Sequence, residues 1–366
     1  MTKILWLSPT FNHYKARFLN HLATAEGIEL TLLTGAGRNE NKNKQVNDNW
    51  SFKVIQTNVP KSKFGFSSQI RKLLSIEFKK HDWVLIPAEK KNLPLFLFAL
   101  VLQFFRKKTK LISYNHPVLK SGEGKISFLD KQITKFFYKK LDRVIFYTKE
   151  SCEWAVQNNY IRVKKAFWAN NTVDDIEINK NYQFEFPSVD TFNILFIGRL
   201  IPSKKVGVLL HYFQELQNQM NETDLILEII GDGMDSNLIQ NAQIGNNKIK
   251  WHGTLTDELD IAPIMKRTNF VFVPGLSGLS INHAFAYGRP YFTLQSKGHG
   301  PEIAYLNDGE NGYVLSGDIN DDVEKIKSFL LNKEKMSAFS LSAIEKSKEI
   351  SVDKWVEKMK MAFINE

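Results

Sequence analysis

Arg199 and Lys204 stand five residues apart in the run Asn193–Val206, NILFIGRLIPSKKV. The apolar stretch Ile194–Ile197 reads as a buried parallel strand that Gly198 closes, and Val206–Gln219 takes helical periodicity. A strand, a glycine turn, two cations and a helix start together make an anion site, because the helix start offers unpaired N–H groups and a partial positive charge. The Arg199 guanidinium can fork onto two phosphate oxygens and Lys204 adds a point charge. The plainer alternative is a βα turn carrying two solvated cations.

A second run, Pro274–Pro290 (PGLSGLSINHAFAYGRP), repeats the logic. A strand ends at Pro274, and a loop of small residues, Gly275, Ser277 and Gly278, enters a helix near Leu279. Gly278 permits close approach of a ligand to the backbone. The amides of Leu279 and Ser280 would face outward at the helix start, with His283 one turn further on and Gly288 as the stop. In His299-Gly-Pro-Glu302, Glu302 falls in a first helical turn, as a cap or as an acceptor for sugar hydroxyls. In the first half, Ser8–Arg17 joins a strand to a helix and offers Asn12, His13 and Lys15, without a glycine-rich dinucleotide loop. His116, in Ser113-Tyr-Asn-His-Pro117, ends another strand, where a binding or catalytic role and a structural one are equally open.

These residues need strand ends to hold them. Lys3–Leu7, Glu29–Leu33, Trp83–Pro87, Lys110–Tyr114, Arg143–Tyr147 and Ala166–Ala169 read as strands, with helical runs at Tyr14–Ala25, Ser67–Lys80, Leu93–Phe105, Lys125–Lys140 and Lys149–Asn158. A second series begins at Asn193, with strands at Leu225–Gly231, Ile249–His252, Asn269–Pro274 and Tyr291–Gln295 and helices over Asp321–Leu331, Glu334–Lys348 and Val352–Ile364. Such alternation predicts parallel α/β sheets, and ligands bind beyond the carboxyl ends of their strands. The stretch 175–191, polar and without period, is the expected linker between a domain at 1–174 and one at 192–350, with 351–366 packing back on the first.

Of the formal net charge of +10, residues 1–180 hold 31 Lys/Arg against 15 Asp/Glu, and residues 181–366 hold 18 against 24. A basic half meets a polyanion or an anionic membrane surface. Nucleic acid is the rival, motivated by Lys131–Arg143, where Lys131, Lys135, Lys139, Lys140 and Arg143 interleave with aromatics. A solvated helix face is the plain account of that stretch. Leu93–Phe105 is almost continuously apolar and flanked by Lys90, Lys91, Arg106, Lys107 and Lys108. It is shorter than the roughly 20 residues that span a bilayer, so burial between sheet and neighbours is the first reading and interfacial insertion the second. The single cysteine, Cys152, excludes an internal disulfide and fits a reducing compartment. The N-terminal apolar run stops at Ser8-Pro9, which reads as a first strand, not a signal peptide.

The order of these motifs resembles the family 4 retaining glycosyltransferases, whose GT-B architecture has two facing Rossmann-like doubly wound domains with a cleft between them. Phe196–Lys205 is similar to that family's diphosphate-holding segment, Ile229–Gly233, Trp251–Gly253 and Asn269–Pro274 follow in its order, and Ala169–Asp174 resembles its turn before the linker. The resemblance covers most of the second half and thins toward the N-terminus. It implies a nucleotide-diphosphate sugar as donor, UDP- or GDP-linked, with Gly198, Arg199, Lys204, Gly278, Leu279, Ser280, His283 and Glu302 around it. Arg199, Lys204, His116 and Glu302 would be the catalytic set, with Asn12, His13, Lys15 and His116 toward the acceptor. No cofactor or metal ion is expected. The acceptor is expected to be a saccharide or lipid-linked saccharide in surface polysaccharide assembly, with the chain cytoplasmic at the inner membrane face and nucleic acid not a partner. The family's two glutamates, eight apart, fall here on Gly275 and His283. That departure keeps open a protein that binds nucleotide sugar without turning it over, beside the reading of a basic nucleic-acid-binding α/β protein.

Overall fold

The computed structural model describes residues 1–8, 13–35, 50–56, 68–117, 127–188 and 190–364. The chain divides into two units, Met1–Asn171 with Val352–Glu366, and Thr172–Ser351.

In the first unit seven strands, β1 (Thr2–Ser8), β2 (Ile28–Thr34), β3 (Lys53–Gln56), β4 (Trp83–Leu85), β5 (Lys110–Asn115), β6 (Arg143–Phe146) and β7 (Ala166–Trp168), form one sheet. Its order is β3-β2-β1-β4-β5-β6-β7, and every pairing is parallel. The helices are α1 (His13–Thr24), α2 (Ser68–Phe78), α3 (Leu93–Phe105), α4 (Phe128–Lys140) and α5 (Lys149–Gln157). A strand covered on both faces is mostly apolar, and Ile4, Leu5 and Leu7 of β1 are fully buried. The last helix, α13 (Val352–Ile364), completes this unit. Its Trp355 is fully buried, meets Phe18 with ring centroids 4.8 Å apart, and donates from Nε1 to the Tyr114 hydroxyl at 3.2 Å. Trp83 and Arg143 donate to the α13 carbonyls of Phe363 and Ala362 at 2.9 and 2.8 Å.

The second unit holds β8 (Thr191–Ile197), β9 (Asp224–Ile230), β10 (Ile249–Trp251), β11 (Phe270–Phe272), β12 (Tyr291–Leu294) and β13 (Gly312–Leu315). Their order is β10-β9-β8-β11-β12-β13, again all parallel. Its helices are α6 (Asp175–Asn181), α7 (Val206–Gln219), α8 (Ser236–Gly245), α9 (Glu258–Arg267), α10 (Ser280–Ala286), α11 (Ile319–Leu330) and α12 (Lys333–Glu349). In both sheets the strand order reverses once, between β1 and β4 and between β8 and β11. Such a reversal leaves a crevice at the carboxyl ends of the strands beside it.

Two readings of the sequence are corrected. The stretch 175–191 is not a featureless linker. Asp174 caps α6 by accepting from the Glu177 amide at 3.2 Å, and Ile178 is fully buried. Beyond α6, the buried Arg289 donates to the Tyr182 hydroxyl at 2.6 Å and the Glu185 carbonyl at 2.9 Å, which fastens the segment to the second unit. Seven residues with only Ile176 and Ile178 apolar show too little period to be read as a helix, and their order comes from contacts made far along the chain. Nor is α3 wholly buried. Leu95, Phe96 and Ala99 face inward, while Leu97, Val101, Phe104 and Phe105 face outward. Among the described residues no helix is long and apolar enough to cross a membrane.

Candidate functional site

The crevice between β8 and β11 is bounded by the loops that leave these two strands, and both carry residues singled out from sequence. The β8 loop runs Gly198 to Lys205 through a single 3₁₀ turn at Pro202–Lys204. It is held by backbone bonds, Gly198 N to Ile230 O at 3.0 Å and Leu200 N to Asp232 O at 2.9 Å. The exits of β8 and β9 pack so closely that a Cβ at Gly231 would strike the Gly198 carbonyl, so only glycine fits there. Lys205 adopts the left-handed conformation, φ 55° and ψ 48°, where it caps α7. A non-glycine residue there costs about 1–2 kcal/mol.

Arg199 is exposed and Lys204 is partly buried. The Lys204 ammonium donates to the Leu276 carbonyl of the opposite loop at 2.5 Å, and the Leu276 amide returns a bond to Ser203 O at 2.8 Å. Burial lowers the Lys204 pKa, Arg199 lowers it further, and Glu302 opposes both. Two like charges are thus brought together with a single carboxylate to balance them. That arrangement favours an arriving anion.

The β11 loop, Pro274 to Leu279, is built differently. A Cβ at Gly275 would lie well under 3.0 Å from Ser203 O and Lys204 Cα. The backbone of the β8 loop therefore occupies the space that any side chain at 275 would need. Beneath the loop runs a ladder of hydroxyls. Ser280 meets Tyr291 at 2.7 Å, Tyr291 donates to Ser277 at 3.1 Å, Ser277 donates to Thr293 at 3.0 Å, and Thr293 donates to Val273 O at 2.8 Å. Burial pushes the Tyr291 hydroxyl up to about 12, so it stays protonated and bonded. His299 fixes the loop from the side. Its Nδ1 accepts from the Ser277 amide at 3.0 Å and its Nε2 donates to Leu294 O at 2.9 Å. Accepting an N–H requires the neutral ring, and burial, with Lys204 and Lys205 nearby, lowers the His299 pKa in agreement.

Glu302 is buried in the 3₁₀ turn Pro301–Tyr305, and its Oε2 lies 3.8 Å from the position a Cβ would take at Gly278. Lys204, Glu302 and Gly278 are therefore neighbours, with Arg199 close enough to act on Lys204. Ser280 opens α10, a helix of seven residues, and its hydroxyl belongs to the ladder. His283 lies inside α10 with Nε2 3.1 Å from the Glu258 carboxylate, which also accepts from Tyr287 at 2.8 Å. Glu258 is the residue that sequence reasoning missed. It stands 25 positions before His283, and an acid in the first turn of a helix reads as an ordinary dipole partner. The Trp251-His-Gly253 motif proves to be bracing. Trp251 donates to Gly231 O at 2.8 Å, and His252 and Arg267 bind Glu228 at 2.5 and 2.6 Å. Burial alone would raise the Glu228 carboxyl, but these two partners outweigh it and hold it at about 2.

In the first unit His116 is exposed just after β5. Its carbonyl accepts from Tyr138 at 2.5 Å, and its ring lies edge-on to Tyr147 with centroids 4.9 Å apart. His13 and Lys15 fall in the first turn of α1, and their side chains, like all of Asn12, lie outside the described residues.

Residues 191–332 match the family model described as Glycosyl transferases group 1. No curated protein sequence matches the chain. Among solved structures, Anabaena Alr3699/HepE in complex with UDP is 16% identical, with 98% of each chain covered and a TM-score of 0.73. A glycosyltransferase from Rickettsia africae is 14% identical over 100% of this chain and 99% of that one, with a TM-score of 0.72. A TarM variant of S. aureus in complex with fondaparinux, alpha-GlcNAc-glycerol and UDP is 13% identical over 100% of both, with a TM-score of 0.70. The likeness is one of fold, and the chain has the GT-B fold of two Rossmann-like α/β domains.

Proposed function

We propose that this protein is a retaining glycosyltransferase that moves a sugar from a nucleotide-diphosphate sugar to a saccharide or lipid-linked saccharide acceptor in surface polysaccharide assembly, working at the inner membrane face. The observation that carries the reading is the pairing of Arg199 with Lys204 at the point where the sheet order reverses, with Glu302 beside them. The match of residues 191–332 to the group 1 transferases supports it. UDP bound in HepE and TarM favours a UDP-linked donor over a GDP-linked one.

In this mechanism Arg199 and Lys204 neutralise the diphosphate as the glycosidic bond breaks. Charge fixed in place before the reaction is usually the largest catalytic contribution, and no divalent ion is needed. The backbone of Gly198, Gly278, Leu279 and Ser280 approaches the donor. Glu302 accepts from sugar hydroxyls. His283, with Nε2 directed at Glu258, offers its other nitrogen to the ribose. His116, Asn12, His13 and Lys15 serve the acceptor, which attacks on the face the leaving group departs from. Gly275 supports a second reading, a protein that binds nucleotide sugar and has lost turnover, which any measured transfer excludes.

The test is thermal melting against UDP-, GDP-, ADP- and CMP-sugars and their nucleotides, followed by acceptor trials with the donor that binds. A ligand at 100 times its Kd adds about 2.7 kcal/mol of stability. A shift with one nucleotide family is the expected result. No shift with any of them would remove the reading.

A further inference from the structure

The outward side of α3 is an apolar feature that the donor chemistry leaves unused. Pro94, Leu97, Val101, Phe104 and Phe105 recur at helical spacing along one exposed stripe. Phe104 and Phe105 are 72% and 73% exposed, and Leu97 and Val101 about half. A helix that only packs on a sheet would turn polar residues outward, and α3 turns none along this stripe. Its inner side is anchored through Phe96, stacked on Phe137 of α4 with centroids 4.3 Å apart and edge-on to Phe136 at 6.2 Å. Phe136 is itself partly exposed, so the apolar surface continues onto α4. Lys90, just before α3, is ion-paired with Asp130 in the first turn of α4, where Phe128 and Leu129 are also exposed.

Among the described residues, the exposed charges on α3 and α4 and just after α3 have one sign. Arg106, Lys107 and Lys108 are exposed where α3 ends, and Lys131, Lys135, Lys139 and Lys140 are exposed on α4. α3 contains no acid, and the single acid of α4, Asp130, is taken by Lys90. A second copy of this chain would bring the same cations face to face. An anionic lipid surface meets them with opposite charge and offers an apolar boundary for the rings.

We infer that the exposed faces of α3 and α4 dock on an anionic bilayer, with Phe104 and Phe105 seated at the boundary between headgroups and acyl chains and the flanking lysines on the headgroups. Apolar helix faces at such an interface lie about 5–10 Å into that boundary. Cationic stems extend along the apolar layer while their charged ends stay at the headgroups. The inference gives the membrane-side placement proposed above a physical surface, and it does not depend on the donor chemistry.

The test is co-sedimentation of the full chain with vesicles of phosphatidylcholine alone and of phosphatidylcholine mixed with phosphatidylglycerol. At least tenfold stronger partitioning onto the anionic vesicles is expected, weakening as salt is added. Phe104→Asp combined with Phe105→Asp should lower binding at least tenfold. Lys107→Glu with Lys108→Glu should lower binding to anionic vesicles by more than tenfold, since each cation is worth about fivefold, about 1 kcal/mol. Both variants should keep the wild-type melting temperature and the wild-type response to nucleotide, which separates loss of docking from loss of fold and from failure of the transferase reading. Equal binding to both vesicle types would overturn the inference, as would undiminished binding by the double aspartate variant. A concentration-dependent dimer that the aspartates dissolve, with no vesicle binding, would assign the face to a second copy instead.

Discussion

The loops after β8 and β11 border the same crevice and are made of opposite materials. The β8 loop carries the charge, with Arg199 exposed, Lys204 partly buried and Lys205 in a strained backbone conformation. The β11 loop carries none between Gly275 and Ser280, and is glycine-rich backbone fastened from below by hydroxyls and from the side by a neutral His299. The contrast explains why glycine stands at 275. The charged loop leans so far across that its backbone fills the space of a side chain there, and Lys204 spends one donor on the Leu276 carbonyl. One wall supplies charge and the other supplies shape, and the acids that remain, Glu302 and Glu258, reach the site from elsewhere in the chain.

Removing the charged wall should have the largest effect. Arg199→Ala is expected to lower kcat by about 10²–10³, or about 3–4 kcal/mol, with the melting temperature unchanged, as single-turnover assays with the identified donor would show. Turnover within a factor of a few of wild type would mean that charge is not what this wall provides.

Restoring a carboxylate to the other wall should harm the protein. Gly275→Glu forces a Cβ into the Ser203–Lys204 backbone and is expected to destabilise the second unit by about 3 kcal/mol and to abolish nucleotide binding. Chemical denaturation and calorimetry would check it. A stable, more active variant would show that the two loops separate easily.

Glu258→Gln is a smaller intervention. An amide still accepts from Tyr287 but no longer presents a charge to His283, so nucleotide affinity should fall about three- to tenfold, roughly 1 kcal/mol. The loss should be smaller for a 2′,3′-dideoxy nucleotide. Equal losses for both nucleotides would detach His283 from the ribose.

The smallest effect is on pH. Burial lowers the His299 pKa in the folded state, so the neutral ring is the one that braces Ser277. Its stabilising contribution is complete above the unfolded value of about 6.5 and is lost as pH falls below it toward the folded value. Acidification should therefore loosen the β11 loop, seen as a smaller protection of the Ser277 amide relative to its intrinsic exchange rate at the same pH, and His299→Asn should remove that dependence.

The strands were largely legible because parallel strands covered on both faces are near-continuous apolar runs, as Ile194–Ile197 is. The cationic loop was legible for the same reason, since Gly198, Arg199 and Lys204 follow directly on such a run. Short elements were not. β3, β13 and α6 are too short and α8 too weakly patterned for a clear period, α9 carries Pro263 in its interior, and Tyr182 owes its place to Arg289 more than a hundred residues away. Periodicity could not say which side of α3 is buried, because its residues are apolar all round. The pairing of Glu258 with His283 and the crowding at Gly275 are tertiary facts that local spacing does not encode.

The central claim is that Arg199 and Lys204 hold a nucleoside diphosphate, and calorimetric titration of UDP and uridine into wild type, Arg199→Ala and Lys204→Ala tests it most directly. The account predicts that UDP binds wild type at least a hundredfold more tightly than uridine, and that either substitution removes most of that advantage while leaving uridine affinity unchanged. UDP binding equally well to all three proteins would contradict it.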